Sequence, residues 1–360
     1  MTIPAGKWLY CWKPANFGTP TEVANYCAGL GLTAITMKVA NGYLLYDGLD
    51  PYIEALRAKG IAVGGYHYLY CGVNFTTGGS DYVLTGITPE REAEVSLQAI
   101  DRYDLTHFSI DAEREFKVWN QNERAARYMT AFKPYAGVPV CISTYRFPSY
   151  HPEFAWKGFM TTAGGVDFYL PQVYWAPPSA TRGPVNELRQ SWSEYQTLAG
   201  KLGVPMKAEI FVPTGRCYIG DGYPSPGPTQ AEMIDFLTEA DQVKRFQAAS
   251  FWALDFIKLH TGGWARGDAI RAYNWTTQPE PPEPPEPEPD SWWVQVVTSG
   301  DSVYLRPQPD SSSGMPYSGK TYNGLKLPVV GSVKNSKGET WLKVSPLYVA
   351  EWLTKPTTPP

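Results

Sequence analysis

Cysteine and histidine are scarce in this chain of 360 residues, and neither is spaced for chemistry. Cys11, Cys27, Cys71, Cys141 and Cys217 make an odd set with no CxxC pair. That excludes a disulfide framework and a zinc knuckle, and all five read as buried free thiols. The four histidines form no HExxH or comparable pattern, so no metal and no cofactor is expected. Charge is sparse as well. Only 18% of residues are charged, the net charge is −4, and no Lys/Arg-rich run appears, which argues against a nucleic-acid surface. No apolar run approaches the ~20 residues of a membrane span. The start, MTIPAGKWLYCW, lacks a basic stretch followed by an apolar one, so no signal peptide is expected.

What the chain has in quantity is apolar and aromatic surface. It is 43% hydrophobic, enough for a sizeable core, with 13 Trp, 24 Tyr and 14 Phe. Most of these rings belong to packing; flat rings at a mouth would also stack on the apolar faces of sugars.

QPEPPEPPEPEPD, Gln278 to Asp290, is a Pro/Glu repeat that suits neither helix nor sheet. As polyproline II it would span about 40 Å. It divides the chain into a domain at 1–277, a linker at 278–290, a second domain at 291–354 and a short flexible tail at 355–360. The first domain alternates strand-like and helix-like segments. Strands are expected at 7–12, 34–40, 62–70, 106–113, 139–145, 167–175, 204–212 and 248–256. Helix-like stretches lie between them, several opening on Thr, Asp or Pro and closing on Gly; the connection at 146–165 is less clearly helical. Eight strands with interposed helices predict an α/β fold, a (β/α)8 TIM barrel. A doubly wound open sheet fits less well, because no GxGxxG turn is present. The second domain has short runs broken by Gly, Pro, Asn and Ser, which predicts a small all-β barrel.

In such a barrel, function belongs at the C-terminal ends of the strands. Those ends carry Trp12 and Lys13; Lys38 and Asn41; His67 and Tyr70; Asp111 and Glu113; Ser143 and Tyr145; Gln172, Tyr174 and Trp175; Glu209; Trp252 and Asp255. In FSIDAEREF, Phe108 to Phe116, side-chain alternation puts Ser109, Asp111 and Glu113 on one face and Phe108, Ile110 and Ala112 on the other. The acids should face the mouth, and the apolar set the helices. Glu115 falls past the strand and is expected to cap or salt the following loop. Two close carboxylates cannot both ionise freely, and the raised pKa of one prepares a general acid of the kind glycoside hydrolysis needs. The competing reading is a strand-end acid pair held by Arg114 or Lys38. Glu209 could equally pair with Lys207 or Lys38, and His67 is expected to be a structural residue of the mouth.

With these motifs in view, the first domain resembles the lysozyme-type barrels of glycoside hydrolase family 25 and shares features with the chitinase-type barrels of family 18. AITMKVANG is similar to the second-strand "IKATEG" pattern, GIAVGGYHYLY to the third-strand "G-Y-H-F" segment, and SIDAE to the DxE that both families use. LPQVYW and FWALDF are more like family 18. The resemblance implies Glu113 as proton donor. It implies Asp111 as the neighbour that orients a substrate acetamido group, itself the internal nucleophile in family 18. Tyr174 and Gln172 would contact the acetamido region and Trp252 would floor the sugar subsite, with Trp175, Glu209, Asp255, Tyr70 and Lys38 as further substrate-binding candidates. The chain departs from the lysozyme pattern in lacking its first-strand acid and in reading Ala40-Asn41-Gly42 where that family has "TEG".

The second domain resembles bacterial SH3-like cell-wall-binding modules through SVYLRPQPDSSSG, GETWLKV and YVAEWL. Tyr304 and Trp352 are its wall-binding candidates, and Trp341 is expected in its core. Together these features resemble the layout of a phage endolysin or bacterial autolysin. The implied partners are cell-wall glycan and peptide, with no nucleic acid and no membrane span. The expected activity is that of a muramidase or N-acetylglucosaminidase. The alternatives are a chitinase-like enzyme and a non-catalytic glycan-binding or structural virion protein. The implied location is the host cytoplasm followed by release to the wall, or the virion.

Overall fold

Alternation along the first part of the chain becomes eight parallel strands: β1 (Gly6–Cys11), β2 (Leu32–Asn41), β3 (Ala62–Tyr68), β4 (Phe108–Asp111), β5 (Val140–Tyr145), β6 (Phe168–Gln172), β7 (Thr214–Arg216) and β8 (Ala248–Trp252). Each pairs with the next in sequence, and β1 pairs with both β2 and β8, so the sheet closes into a barrel. The computed structural model describes residues 2–76, 79–175, 183–217, 227–260, 262–276, 292–299, 302–306, 309, 319–324, 326–329, 331–344 and 348–357. Two units separate by internal contacts, Met1–Gln278 and Pro279–Pro360. The Pro/Glu segment at 278–290 lies outside the described residues.

A helical layer surrounds the strands: α1 (Pro20–Gly29), α2 (Asp50–Arg57), α3 (Pro89–Tyr103), α4 (Gln121–Phe132), α5 (Trp156–Thr161), α6 (Gly183–Leu202), α7 (Gln230–Thr238) and α8 (Gly263–Ala272). Their starts follow local chemistry. Thr19 and Thr229 open α1 and α7 with reciprocal capping boxes to Glu22 and Glu232, and Pro20 takes the first position of α1, where no N–H is needed. α8 gives little signal in the sequence, because Gly263 and Gly267 both fall in its first half. No helix among the described residues is long and apolar enough to cross a membrane.

The two faces of each strand feed two cores. Leu9, Ile35, Met37, Phe108, Ile110, Val140, Ile142 and Phe251 pack toward the helices. Trp8, Tyr10, Ala34, Tyr66, Phe168, Leu170 and Ala248 fill the barrel. The inner space is tight at β3. A Cβ on Gly64 would lie 2.2 Å from His107 Nε2, and one on Gly65 would lie 2.6 Å from Leu105 on the other face. All five cysteines are free and buried.

Three expectations are corrected. The alternation at 204–212 is not the seventh strand. Met206, Ala208 and Ile210 lean on the core while Lys207 and Glu209 face solvent around a 3-10 turn at Ala208–Ile210, and β7 begins only after Pro213. His67 does not belong to the mouth. It points to the helical layer, with Nδ1 2.8 Å from Ser96 Oγ and Nε2 2.7 Å from the Gly42 carbonyl. The supposed tail pairs instead: Thr354–Thr357 runs antiparallel to Trp292–Val296. Pro356 is tolerated there because that strand lies at the edge of its sheet. The C-terminal unit is otherwise small antiparallel sheets around Val294, Val296, Val303, Val329, Leu342 and Val349.

Gly64→Ala should destabilise the N-terminal unit by about 1–3 kcal/mol, the usual cost of overpacking. Urea unfolding followed by tryptophan fluorescence measures it, and unchanged stability would refute the close packing of β3 against His107.

Candidate active site

β4 is buried along its whole length, and its parity sets the site. Ser109 lies 2.9 Å from the Tyr10 hydroxyl inside the barrel, and Asp111 above it is 5% exposed. The strand ends at Asp111; the backbone leaves the extended region at Glu113 (φ −129°, ψ −135°) and then tightens into a 3-10 turn at Arg114–Lys117. This carries the half-buried Glu113 carboxylate over the mouth, where Gln172 of β6 donates from Nε2 to Oε1 at 2.9 Å. The same amide lies 3.4 Å from Ser143 Oγ of β5. Three consecutive strands thus contribute to one polar cluster.

Burial drives the electrostatics. Asp111 is held well above the ordinary carboxyl range, first by desolvation and then by the charges of Glu113 and Glu115, with Lys38 opposing. Its Oδ1 has no hydrogen-bond partner among the described residues, and an unmet buried polar atom costs about 1–3 kcal/mol. Burial and the neighbouring acids thus favour protonation of Asp111, and Lys38 opposes it. Lys38 is pulled down by burial, against the pull of Asp111 and Glu113.

Aromatic rings make the walls. Trp252 ends β8 with its ring 5.3 Å from Tyr10 and 5.6 Å from Tyr66. Tyr68 donates to Glu115 Oε2 at 2.9 Å. Trp12, just beyond β1, opens onto a cleft of about 540 Å³ lined also by Lys13, Tyr46, Asp47 and Tyr52.

The mouth therefore gathers Asp111, Glu113, Gln172, Lys38 and Trp252. Tyr70 sits at the rim, its ring 5.2 Å from Tyr68 and its hydroxyl accepting from Asn41 at 3.3 Å. Tyr174 follows β6, mostly buried, and its carbonyl accepts from the Arg146 guanidinium. Three sequence candidates lie elsewhere. Trp175 turns outward and is buried against Phe236 of α7, with ring centroids 5.1 Å apart. Asp255 is fully buried, and its Oδ1 accepts from the Trp12 N–H at 3.0 Å, tying the end of β8 to the end of β1. Glu209 is exposed before β7 begins and is not at a strand's C-terminal end.

Glu115 pairs with Arg114 of the following segment, as expected, but it is buried and does not cap the loop. It is buried on Tyr68, with Arg114 Nε 3.6 Å away. Tyr10, Tyr66 and Tyr68 were also missed, although the inward parity that selected Asp111 would have found them. Two buried charged groups shape the loops behind. Glu92 of α3 accepts from the N–H groups of Tyr70 and Cys71, both at 2.9 Å. Arg124 of α4 donates to the carbonyls of Tyr70, Cys71, Glu115, Val118 and Trp119.

No family model matches the chain, and no curated protein matches it in sequence. Solved structures do resemble it. Active domain 2 of the chitinase from Pyrococcus furiosus, in a study of catalytic site mutants, is 13% identical at a TM-score of 0.51 and covers 76% of this chain and 98% of that one. A GH18 chitinase from Pseudoalteromonas aurantia is 15% identical at 0.51, covering 74% and 98%. The spore cortex-lytic enzyme SleL of Bacillus cereus is 10% identical at 0.53, covering 75% of each. What is shared is the barrel fold.

Asp111 should keep its proton at neutral pH. Because its native pKa lies above its unfolded one, the native state binds the extra proton, so its contribution to stability is full at acid pH and is lost as pH rises. Wild type should lose more stability between pH 5 and pH 8 than Asp111→Asn does, and its infrared difference spectrum against that variant should contain a protonated carboxyl band at pH 7. A carboxylate band instead would refute the assignment.

Proposed function

We propose that the N-terminal barrel is a glycosidase that cuts cell-wall glycan of N-acetylated amino sugars, with Glu113 as general acid. The observation that carries this is Glu113 over the mouth of a closed barrel, oriented by Gln172 and backed by the buried Asp111. The fold shared with chitinases and a spore cortex-lytic enzyme supports it. Glu113 gives its proton to the glycosidic oxygen as the bond to the anomeric carbon breaks, and the substrate's acetamido oxygen bonds to that carbon. Water then opens the intermediate while Glu113 recovers the proton. Asp111 orients the acetamido group, and Trp252 floors the sugar. This route needs no attacking carboxylate, in keeping with a first strand that carries no acid and is followed by Trp12 and Lys13. Among the two glycans, peptidoglycan is preferred to chitin because a second, all-β unit accompanies the barrel.

That unit we assign to an SH3-like wall-binding module. Trp341 is buried, and Trp352 crosses its edge at 5.6 Å and is 54% exposed, free to meet a ligand. Tyr304 lies on the strand Ser302–Leu305, and its side chain is outside the described residues. The order of barrel, Pro/Glu segment and second unit supports reading the chain as a phage endolysin or a bacterial autolysin. A barrel that binds glycan without cutting it is the second reading, favoured by that same first strand without an acid.

Glu113→Gln should lower release of reducing ends from purified walls by about 10²–10⁴-fold while leaving glycan binding in place. Equal release by both proteins would remove Glu113 from the role, and wall binding with no release by wild type would select the second reading. Trp352→Ala should reduce co-sedimentation of the full chain with walls without altering hydrolysis of soluble strands; unchanged sedimentation would dismiss this ring as the contact.

A further inference from the structure

Lys38 is an unusual cation for the floor of an acid-bearing mouth. Other largely buried lysines of this unit have partners. Lys7 donates to the carbonyls of Leu30, Ile270 and Tyr273, each at 2.7 Å, and Lys117 lies 3.7 Å from Glu153. Among the described residues no carboxylate comes within 4 Å of Lys38 Nζ. It rests on ring faces instead, 5.6 Å from the centroid of Trp12, 5.8 Å from Tyr66 and 5.5 Å from Tyr68. Lys13 lies 4.5 Å from the centroid of the same Trp12 ring and is exposed at the rim of the adjoining cleft. Two ammonium groups thus share one indole beside the proton donor, and neither is ion-paired to a carboxylate.

A neutral glycan gives such a pair nothing to neutralise, whereas an anion would replace the water that a half-buried ammonium has lost. We propose that Lys38, helped by Lys13, receives a carboxylate carried by a sugar at the cleavage site, so that the mouth selects acid-bearing strands over neutral ones. This deepens the glycosidase reading and rests on it. In peptidoglycan the group attached directly to a ring is the lactyl ether of the muramic acid residue. It is a free carboxylate only where the stem peptide has been removed, so an amide-cleaving reaction must supply the preferred substrate. A carboxylate of the stem peptide itself is the other source of the same chemistry.

Binding to the full-length Glu113→Gln protein, which keeps the mouth and removes cleavage, separates these cases. Three soluble strands serve as probes: peptide-free strands with free lactyl carboxylates, the same strands methyl-esterified, and peptide-bearing strands. The free acid should bind at least about tenfold more tightly than the ester, the size of one charge-assisted hydrogen bond. Adding Lys38→Met should collapse that ratio toward one, and Lys38→Arg should restore most of it; melting curves check that each variant is folded. Equal binding of acid and ester would overturn the proposal, as would a ratio that survives Lys38→Met. Tighter binding of peptide-bearing strands than of the free acid would move the anion to the peptide and overturn the sugar-borne assignment. Failure of all three strands to bind would sink the glycan reading itself, a result distinct from equal binding.

Discussion

The pairing of β1 with β8 on one side and β2 on the other is the constraint on which the molecule depends. Gly6 to Leu9 run in register with Ala248 to Phe251, and Lys7 to Cys11 pair with Leu32 to Met37 across one register shift between Lys7 and Trp8. Without that closure the ends of β4, β6 and β8 would not face one another, and Glu113, Gln172 and Trp252 would not share a mouth. Lys7 sits at the join, its ammonium taking the carbonyls of Leu30, Ile270 and Tyr273. It therefore binds the start of the chain to the end of its last barrel helix. Burial pulls its pKa down to about 8, yet three carbonyls at a short distance give the charge what water would have given it. Ring closure between residues so far apart in sequence carries the largest loop entropy in the fold, and short, fixed contacts at the join are what offset it.

Above the join, the inner face changes character with height. Near the base it is apolar, with Trp8, Ala34, Phe168 and Ala248. In the middle come groups that satisfy each other, Thr36 with His107 at 2.9 Å and Tyr10 with Ser109. His107 is held neutral there, its pKa pushed down to about 3 by burial. At the top the pairing becomes incomplete: Glu113 accepts from Gln172, but Asp111 Oδ1 has no partner among the described residues and Lys38 no carboxylate within 4 Å. That gradient separates a site from a core, because buried polar groups without partners are costly unless a ligand completes them.

How far the sequence revealed this depends on the range of the signal. The two faces of FSIDAE follow from a two-residue period, a local rule, and the structure keeps them: Phe108 and Ile110 among the helices, Asp111 inside. The barrel followed from the alternation of strands and helices. Where a segment alternates for another reason, the same rule misleads. Met206, Ala208 and Ile210 lie against the core below β7 and mimic a strand that is not there. Trp175 and Asp255 lie beyond their strands' last paired residues, where parity no longer governs direction. One turns to α7 and the other back to the Trp12 amide. Arg124 gave no local signal at all, since a helical arginine resembles any surface residue until five carbonyls from two loops converge on it.

Those carbonyls explain why the acids can hold their geometry. The segments after β3 and β4 are irregular, and irregular backbone buried near a mouth must find donors and acceptors somewhere. Arg124 supplies donors to both, and Glu92 supplies acceptors to Tyr70 and Cys71. Glu92 is raised to about 7 by burial. The turn that carries Glu113 is thereby clamped from behind through the Glu115 carbonyl, while Gln172 holds the carboxylate from the front. The carboxyl we propose as proton donor is thus fixed from both sides, above the buried Asp111 and near a lysine with no carboxylate within 4 Å among the described residues, which is the arrangement the proposed acid-bearing, acetamido-bearing substrate would meet.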